Sequence, residues 1–278
     1  MGRDLVKALC VTLFLCFLIR AEGAAAAGKS VTIYTTIYPP YVVKEKPGKF
    51  SGISLVTARK LFNAAGYKVV YQVVPYKRAV RSFVQKRDGI MMGMLEGIPD
   101  YKKYSITEVS YMVFPTTYFY NRIRHPEYAS ITRLSDTKGK TVSIMGGTAF
   151  YEKVITDAGG TLIRVTNEEQ VLKMVQGGRV DFGHTGVLTG LDRIRRLPDH
   201  QMVRPFPFSV TAITSGLVFH EKDYAVRDDF LRTVRDFHRT GRLLQIYKDA
   251  LKDLPLAKPE EAVPKEVVVR VNVPEPAP

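Results

Sequence analysis

Twice along this chain a strand, a helix, a strand, a helix and a strand follow in order, and one long extended run joins the two sets. In the first set, alternation over residues 31–36 predicts a strand, which Pro39 and Pro40 break. Leu55, Ala58, Phe62 and Ala65 share one face of a predicted helix over 52–65, with Gly66 as its stop. Residues 68–74 read as the second strand. Pro75 opens a helix over 76–86, packed through Ala79, Val80, Phe83 and Val84, and Asp88-Gly89 turns the chain into a strand over 90–94. The second set repeats the rhythm, with strands predicted over 141–145, 161–165 and 180–184 and a helix from about 149 to 158. Its other helix is capped by Asn167, with Gln170 completing a capping-box-like pair and Gly177-Gly178 as the stop. A β-α-β-α-β order is the rhythm of a parallel, doubly wound sheet.

The stretch from Asp88 to Arg122 organises the rest. A buried strand opens into a loop with Glu96, Asp100, Tyr101 and Lys102, then becomes the extended run 111–120. Open α/β sheets place ligands where a buried strand ends in a polar loop. The run reads as too extended for a loop and too exposed in pattern for a core, so it is taken as the strand that leaves one unit and enters the other. A second extended run, 209–219, is expected to cross back, so that two helices, about 223–240 and 241–251, pack on the first unit. From Pro255 the chain is rich in proline and charge, which predicts a mobile tail, with 269–273 alternating like a strand that adds to a sheet edge.

The start of the chain reads as a processing segment. Arg3 and Lys7 precede an apolar run of twelve, residues 8–19, and small residues then offer cleavage near Ala26 or Ala27. A bilayer span needs roughly 20 apolar residues; an uncleaved anchor is the competing reading. Both cysteines, Cys10 and Cys16, fall in this segment, so the mature chain would carry no disulfide, no thiolate metal site and no cysteine nucleophile. About 250 residues remain after cleavage, enough for two domains. A net charge of +14 invites a nucleic-acid reading, but no RNA- or DNA-binding signature is present, and attraction to anionic envelope surfaces or a solvated basic face fits an exported protein better. No G-x-S-x-G, H-E-x-x-H or phosphate loop occurs, and the five histidines are scattered. No catalytic residue, metal or cofactor is therefore expected.

In order, TIYPPY, GISLVTARKLF, RDGIMMGM, GKTVSIMGGTAFYEKV and VLKMVQGGRVDFGHTG make the chain resemble extracytoplasmic (periplasmic) solute-binding proteins. More narrowly, it is similar to family 3, the amino-acid-type substrate-binding proteins of ABC transporters, over residues 31–251. The resemblance implies an α/β fold of the type II periplasmic-binding-protein-like class, two doubly wound lobes joined by two crossing strands. The expected division is a signal peptide (1–27), a first lobe (28–115), a second lobe (116–206), a return segment with the C-terminal helices (207–254) and a proline-rich tail (255–278).

The resemblance also implies site residues. Tyr38 matches the aromatic that stacks on the ligand, though a turn tyrosine would look the same. Tyr76 and Arg78 stand where the family places contacts, or are simply surface residues of a helix. Thr148 matches a carboxylate-binding loop, in which Gly146 and Gly147 let the backbone approach an anion at a helix N-terminus. Glu96, His184 and Thr185 at strand ends complete the set; Glu96 reads equally as a loop acid and His184 as a satisfied buried imidazole. Asp181 is taken as structural. Two features depart from the family. Where receptors of ordinary amino acids carry an arginine that clamps the carboxylate, this chain has Asp100 and Tyr101, and Lys102 offers only a point charge. Where they carry an aspartate for the ammonium, it has Gly186. The implied function is capture of a small polar ligand, amino-acid-like or a small organic anion, for delivery to an ABC permease, by a monomer. The alternatives are a dehydratase-like enzyme acting on a prephenate-like acid and a periplasmic sensor subunit that reports to a signalling receptor.

Overall fold

A computed structural model of the chain describes residues 29–146, 149–207, 209–252 and 269–272. The segment read as a signal peptide lies outside them, as do Gly147, Thr148 and most of the tail.

In the first lobe β1 (Ser30–Thr35) buries Val31, Ile33 and Thr35 and leaves the residues between them more open, the period of two that a pleated strand imposes. It lies between β4 (Lys68–Val73) and β5 (Ile90–Gly93), parallel to both. Helices α1 (Ile53–Ala64) and α2 (Tyr76–Lys86) make the crossovers. A small hairpin of β2 (Val43–Lys46) and β3 (Lys49–Ser51), absent from the sequence reading, precedes α1. The second lobe repeats the plan. Here β7 (Thr141–Met145) lies between β8 (Thr161–Val165) and β9 (Phe182–Gly186), all parallel, with α3 (Ala149–Asp157) and α4 (Glu168–Gln176) as crossovers. A further helix, α5 (Val187–Ile194), follows β9 directly, and the short β10 (Val203–Pro205) comes after it.

Two strands join the lobes. The sixteen-residue β6 (Ile106–Asn121) pairs with β11 (Thr211–His220) over its first two thirds and with β9 and β10 over its last third, always antiparallel. One continuous sheet results, in the order β4-β1-β5-β11-β6-β9-β7-β8. The expectation that this run is too exposed for a core is corrected here. β6 begins earlier, at Ile106, and is buried everywhere except Val113, Phe114 and Pro115. Strands flank it on both edges and side chains cover both faces; only at the waist between the lobes does it open. Alternation then sends Tyr118 into one core of the second lobe, with Phe182, Val142 and Ile144, and Phe119 into the other, with Leu172, Val175 and Ile194.

After β11 the chain forms α6 (Tyr224–Arg239) and α7 (Arg242–Lys252). Their Phe230, Val234, Leu243 and Tyr247 share a core with Ile33, Leu61, Phe62 and Phe219 of the first lobe. Each such side chain stabilises the fold by about 1.5–3 kcal/mol on burial, before the entropy of ordering it is subtracted. The opposite face of that lobe holds Phe83, Met91, Ile106 and Val218. The alternation near the C-terminus does become a strand: β12 (Arg270–Asn272) pairs antiparallel with β6 at Glu108 to Ser110, and Asn272 Nδ2 donates to Ser110 Oγ at 3.0 Å.

Asp181 is a structural acid. Its carboxylate accepts from the Tyr128 hydroxyl at 2.5 Å and from the Thr141 backbone N–H at 2.8 Å and hydroxyl at 2.7 Å. Burial alone would push this carboxyl up, but those hydrogen bonds and nearby Lys140 outweigh it and hold it below the usual range. The acid thus ties the start of β7 to the segment entering β9.

Candidate functional site

The chain leaves β1, β4, β5, β7, β8 and β9 at their carboxyl ends through loops or helix starts that carry most of the polar groups discussed below, the position where open α/β sheets bind ligands. After β1 the backbone folds into a tight turn, with Tyr41 and Val42 N–H both donating to Tyr38 O at 2.9 Å and Tyr38 N–H donating to Val42 O at 3.0 Å. Two prolines inside the turn leave it little freedom. The turn sets Tyr38 and Tyr41 side by side, their rings stacked with centroids 5.6 Å apart and planes 10° from parallel. Tyr41 in turn packs on Phe114 at the waist, centroids 4.3 Å apart.

Tyr38 crosses to the second lobe. A Cβ built on Gly186 would lie 3.5 Å from both the Tyr38 hydroxyl and the Thr189 hydroxyl. Burial pushes the Tyr38 phenol up to about 12, the charge of Glu168 adding to the rise and Thr189 and Arg193 opposing it. Burial likewise raises Tyr41 well above the ordinary range, with Tyr247, Tyr38 and Tyr151 as its electrostatic neighbours. Both phenols are therefore neutral hydrogen-bonding groups in the working pH range.

On the second lobe, Glu168 stands in the first turn of α4, just after the Asn167 cap, whose side chain accepts from Gln170 N–H. Burial raises the Glu168 carboxyl above its usual range, and Thr185 and Arg193 offset that only in part. Thr185 is the last residue but one of β9; Thr189 and Arg193 lie four apart on α5 and so share one helix face. Tyr151, near the start of α3, packs against His184 with ring centroids 4.9 Å apart and has Tyr38 and Glu168 as electrostatic neighbours. The common feature is unmet hydrogen bonding. Tyr41 Oη, Glu168 Oε2, Thr185 Oγ1, Thr189 Oγ1 and Arg193 Nε are each buried and lack a partner at full hydrogen-bond geometry, although Thr185 stands near enough to Glu168, and Thr189 to Tyr38, to influence them; Tyr111, Tyr118, Asp223 and Tyr247 hold further such atoms elsewhere. An orphaned buried polar group costs about 1–3 kcal/mol, and folded proteins hold few of them. A group of them between two lobes is what a polar ligand would satisfy.

The residues singled out from sequence divide clearly. Tyr38 and Thr185 belong to this cluster. His184 is adjacent to it, but its Nε2 is taken by Thr116 Oγ1 at 3.0 Å, and burial lowers its pKa to about 4, so it is a neutral ring that supports Tyr151. Tyr76 is half exposed at 42%, and its hydroxyl donates to Gly97 O, bracing the loop after β5. Arg78 is exposed on α2 and forms no ion pair among the described residues. Glu96 lies in the short turn Leu95–Gly97; its side chain is outside the described residues, as are Gly147 and Thr148. Sequence reasoning missed Tyr41, Tyr151, Glu168, Thr189 and Arg193. Glu168 was hidden by its role in a well-formed helix start, and Thr189 and Arg193 by a helix that the pattern did not announce.

No family model matches the chain. A probable amino-acid ABC transporter-binding protein of Haemophilus influenzae is 25% identical over 213 residues, which is 75% of this chain and 79% of that protein. Among solved structures, a histidine kinase sensor domain with similarity to periplasmic binding proteins superposes with a TM-score of 0.63 at 17% identity, over 81% of this chain and 96% of its own. The L-cystine solute receptor of Neisseria gonorrhoeae, in its unliganded open form, gives a TM-score of 0.61 at 18% identity, over 80% and 92%. The chain resembles the amino-acid-type solute-binding proteins of ABC transporters and has the type II periplasmic-binding-protein-like fold, two α/β lobes joined by two crossing strands.

Proposed function

We propose that this protein is an exported, periplasmic solute receptor that captures a small polar, amino-acid-like ligand between its lobes and presents the closed form to an ABC permease. The observation that carries the reading is the set of orphaned polar atoms on which Tyr38, from the first lobe, converges with Glu168, Thr185, Thr189 and Arg193 of the second. A ligand touching both lobes favours the closed state by its differential affinity, and no chemistry is needed. The proposed lobe boundaries at 115/116 and 206/207 are supported by the opening of β6 at residues 113–115 and by the start of β11 at Thr211. The sequence relative, an amino-acid transporter-binding protein, supports a permease as the partner; the sensor domain of the same fold makes a signalling receptor the second candidate. The transporter-binding protein and the L-cystine receptor named above are binding proteins, which supports the receptor reading over the enzyme alternative.

The test is a thermal-shift screen of residues 28–278 against amino acids, their derivatives, small carboxylates and prephenate-like acids. Binding only the native state stabilises it, by about 2.7 kcal/mol at a hundred times Kd. The expected result is a rise of several degrees in Tm with amino-acid-like compounds and no turnover of the compound in the same tube. Conversion of the hit would move the protein to the enzyme class.

A further inference from the structure

We infer that both charged anchors for the ligand stand on the second lobe, so that the solute is captured there first and the first lobe closes over it with aromatic and hydroxyl contacts. This rests on the receptor reading above and adds to it the residues and the order of events. The orphaned carboxylate oxygen, the orphaned guanidinium Nε and two orphaned threonine hydroxyls all come from α4, β9 and α5. Thr185 and Thr189 are 3% and 1% exposed. Glu168 and Arg193 sense each other's charge without forming an ion pair; Thr185 is the near neighbour of Glu168, and Oε2 of Glu168 and Nε of Arg193 are left for a third party. A carboxylate beside a threonine hydroxyl suits an ammonium or guanidinium group, and an arginine beside a threonine hydroxyl suits a carboxylate or similar oxyanion.

No charge of the first lobe is among the influences on Tyr38, Tyr41 or Glu168. Around Tyr38 and Glu168 the charges that act are Glu168 and Arg193 themselves, and around Tyr41 only other tyrosines. Tyr76 has spent its hydroxyl on Gly97, and Arg78 is exposed on α2. What the first lobe brings is the stacked pair Tyr38 and Tyr41. The Tyr38 hydroxyl lies beside Gly186, 3.5 Å from where a Cβ on that residue would stand. The zwitterion handle missing from its usual places is thus rebuilt from Glu168 and Arg193 on one lobe.

Stopped-flow and calorimetric binding test this with three probe sets: L-amino acids, the corresponding 2-oxo acids lacking the ammonium, and the corresponding amines lacking the carboxylate. Wild type should bind the best amino acid roughly 10- to 100-fold more tightly than either truncated analogue, the range expected for one charged hydrogen-bonding group. Glu168→Gln and Arg193→Gln should each lose affinity by a similar factor and associate more slowly, with Arg193→Lys recovering part of the loss. Tyr38→Ala should raise the dissociation rate while keeping the association rate within about threefold. A structural role for Glu168 predicts a less stable Gln variant; an anchor held ready at a cost predicts a ligand-free Glu168→Gln protein that melts at or above wild type. An oxo acid or amine that binds as tightly as the amino acid overturns the inference, as does a Tyr38→Ala protein whose association slows as much as that of Arg193→Gln. Tyr38-dependent binding of uncharged solutes alone would leave the receptor standing and remove the charged handle; no binding from any set would remove both.

Discussion

Tyr38→Ala is expected to weaken binding of the preferred solute about 100-fold, near 3 kcal/mol, while the protein keeps its far-ultraviolet spectrum and a cooperative melt. The magnitude combines loss of a stacked ring, about 0.5–1.5 kcal/mol, with loss of one hydroxyl and of the water-excluding area of the side chain. The fold should survive because the buried member of the pair is Tyr41, which rests on Phe114 and is 2% exposed, whereas Tyr38 packs at the edge of the first-lobe core. Tyr38→Phe keeps the ring and should cost only about 0.5–1.5 kcal/mol. Titration calorimetry of the two variants beside wild type separates ring from hydroxyl; equal affinity of all three would place the ligand elsewhere.

The largest stability effect is expected at Gly216, in the strand that returns across the waist. The β11 register shifts between Ser215, opposite Met112, and Gly216, opposite Ser110. At that irregularity a Cβ would stand 1.8 Å from Val109 O and 2.7 Å from Val109 C. Both are backbone atoms of β6, which is fully buried there, so no side-chain rotation relieves the overlap. Overpacking a core usually costs 1–3 kcal/mol. Here the strand pair itself must separate, and Gly216→Ala should cost at least ~3 kcal/mol, lowering Tm by about 6–12 °C at the entropy typical of a chain this long. A melt within a degree of wild type would mean that the two crossing strands are not packed this closely.

Much of the architecture was readable because it depends on periodicity. Repeated apolar faces in 52–65, 76–86 and 168–176, set between short apolar strands, left few topologies other than two parallel units. The extent of β6 was not readable, because a strand with neighbours on both edges and cover on both faces loses the alternation that marks a half-exposed one. Helix α5 was not readable for a local reason. Gly190 lies in its middle and discourages a helix assignment, yet a Cβ at that position would come within 2.1 Å of the Phe119 ring, so packing demands the glycine that propensity disfavours. With α5 went Thr189 and Arg193.

The site was partly legible for a related reason. Tyr38 could be found because two prolines and a strand end restrict what a tyrosine there can do. Glu168 could not, because an acid in the first turn of a capped helix has an ordinary explanation in the helix dipole. Only its buried, unpartnered oxygen separates it from Glu169, which is paired with Lys173 at 2.6 Å. The replacement proposed for the arginine and aspartate was invisible because it draws on helices α4 and α5, brought together only by folding.

Capture of a small polar solute between two closing lobes is tested by a distance measurement across them. Residues 29–278 contain no cysteine, so Lys60→Cys on α1 and Lys153→Cys on α3, both exposed, place one spin label on each lobe without interference. With the amino acid that raises Tm most, pulsed dipolar spectroscopy should show the distances collapsing into one narrow population, and Tyr38→Ala should reverse this at the same solute concentration. A solute that binds tightly while the distance distribution keeps its position and width would rule out capture by lobe closure.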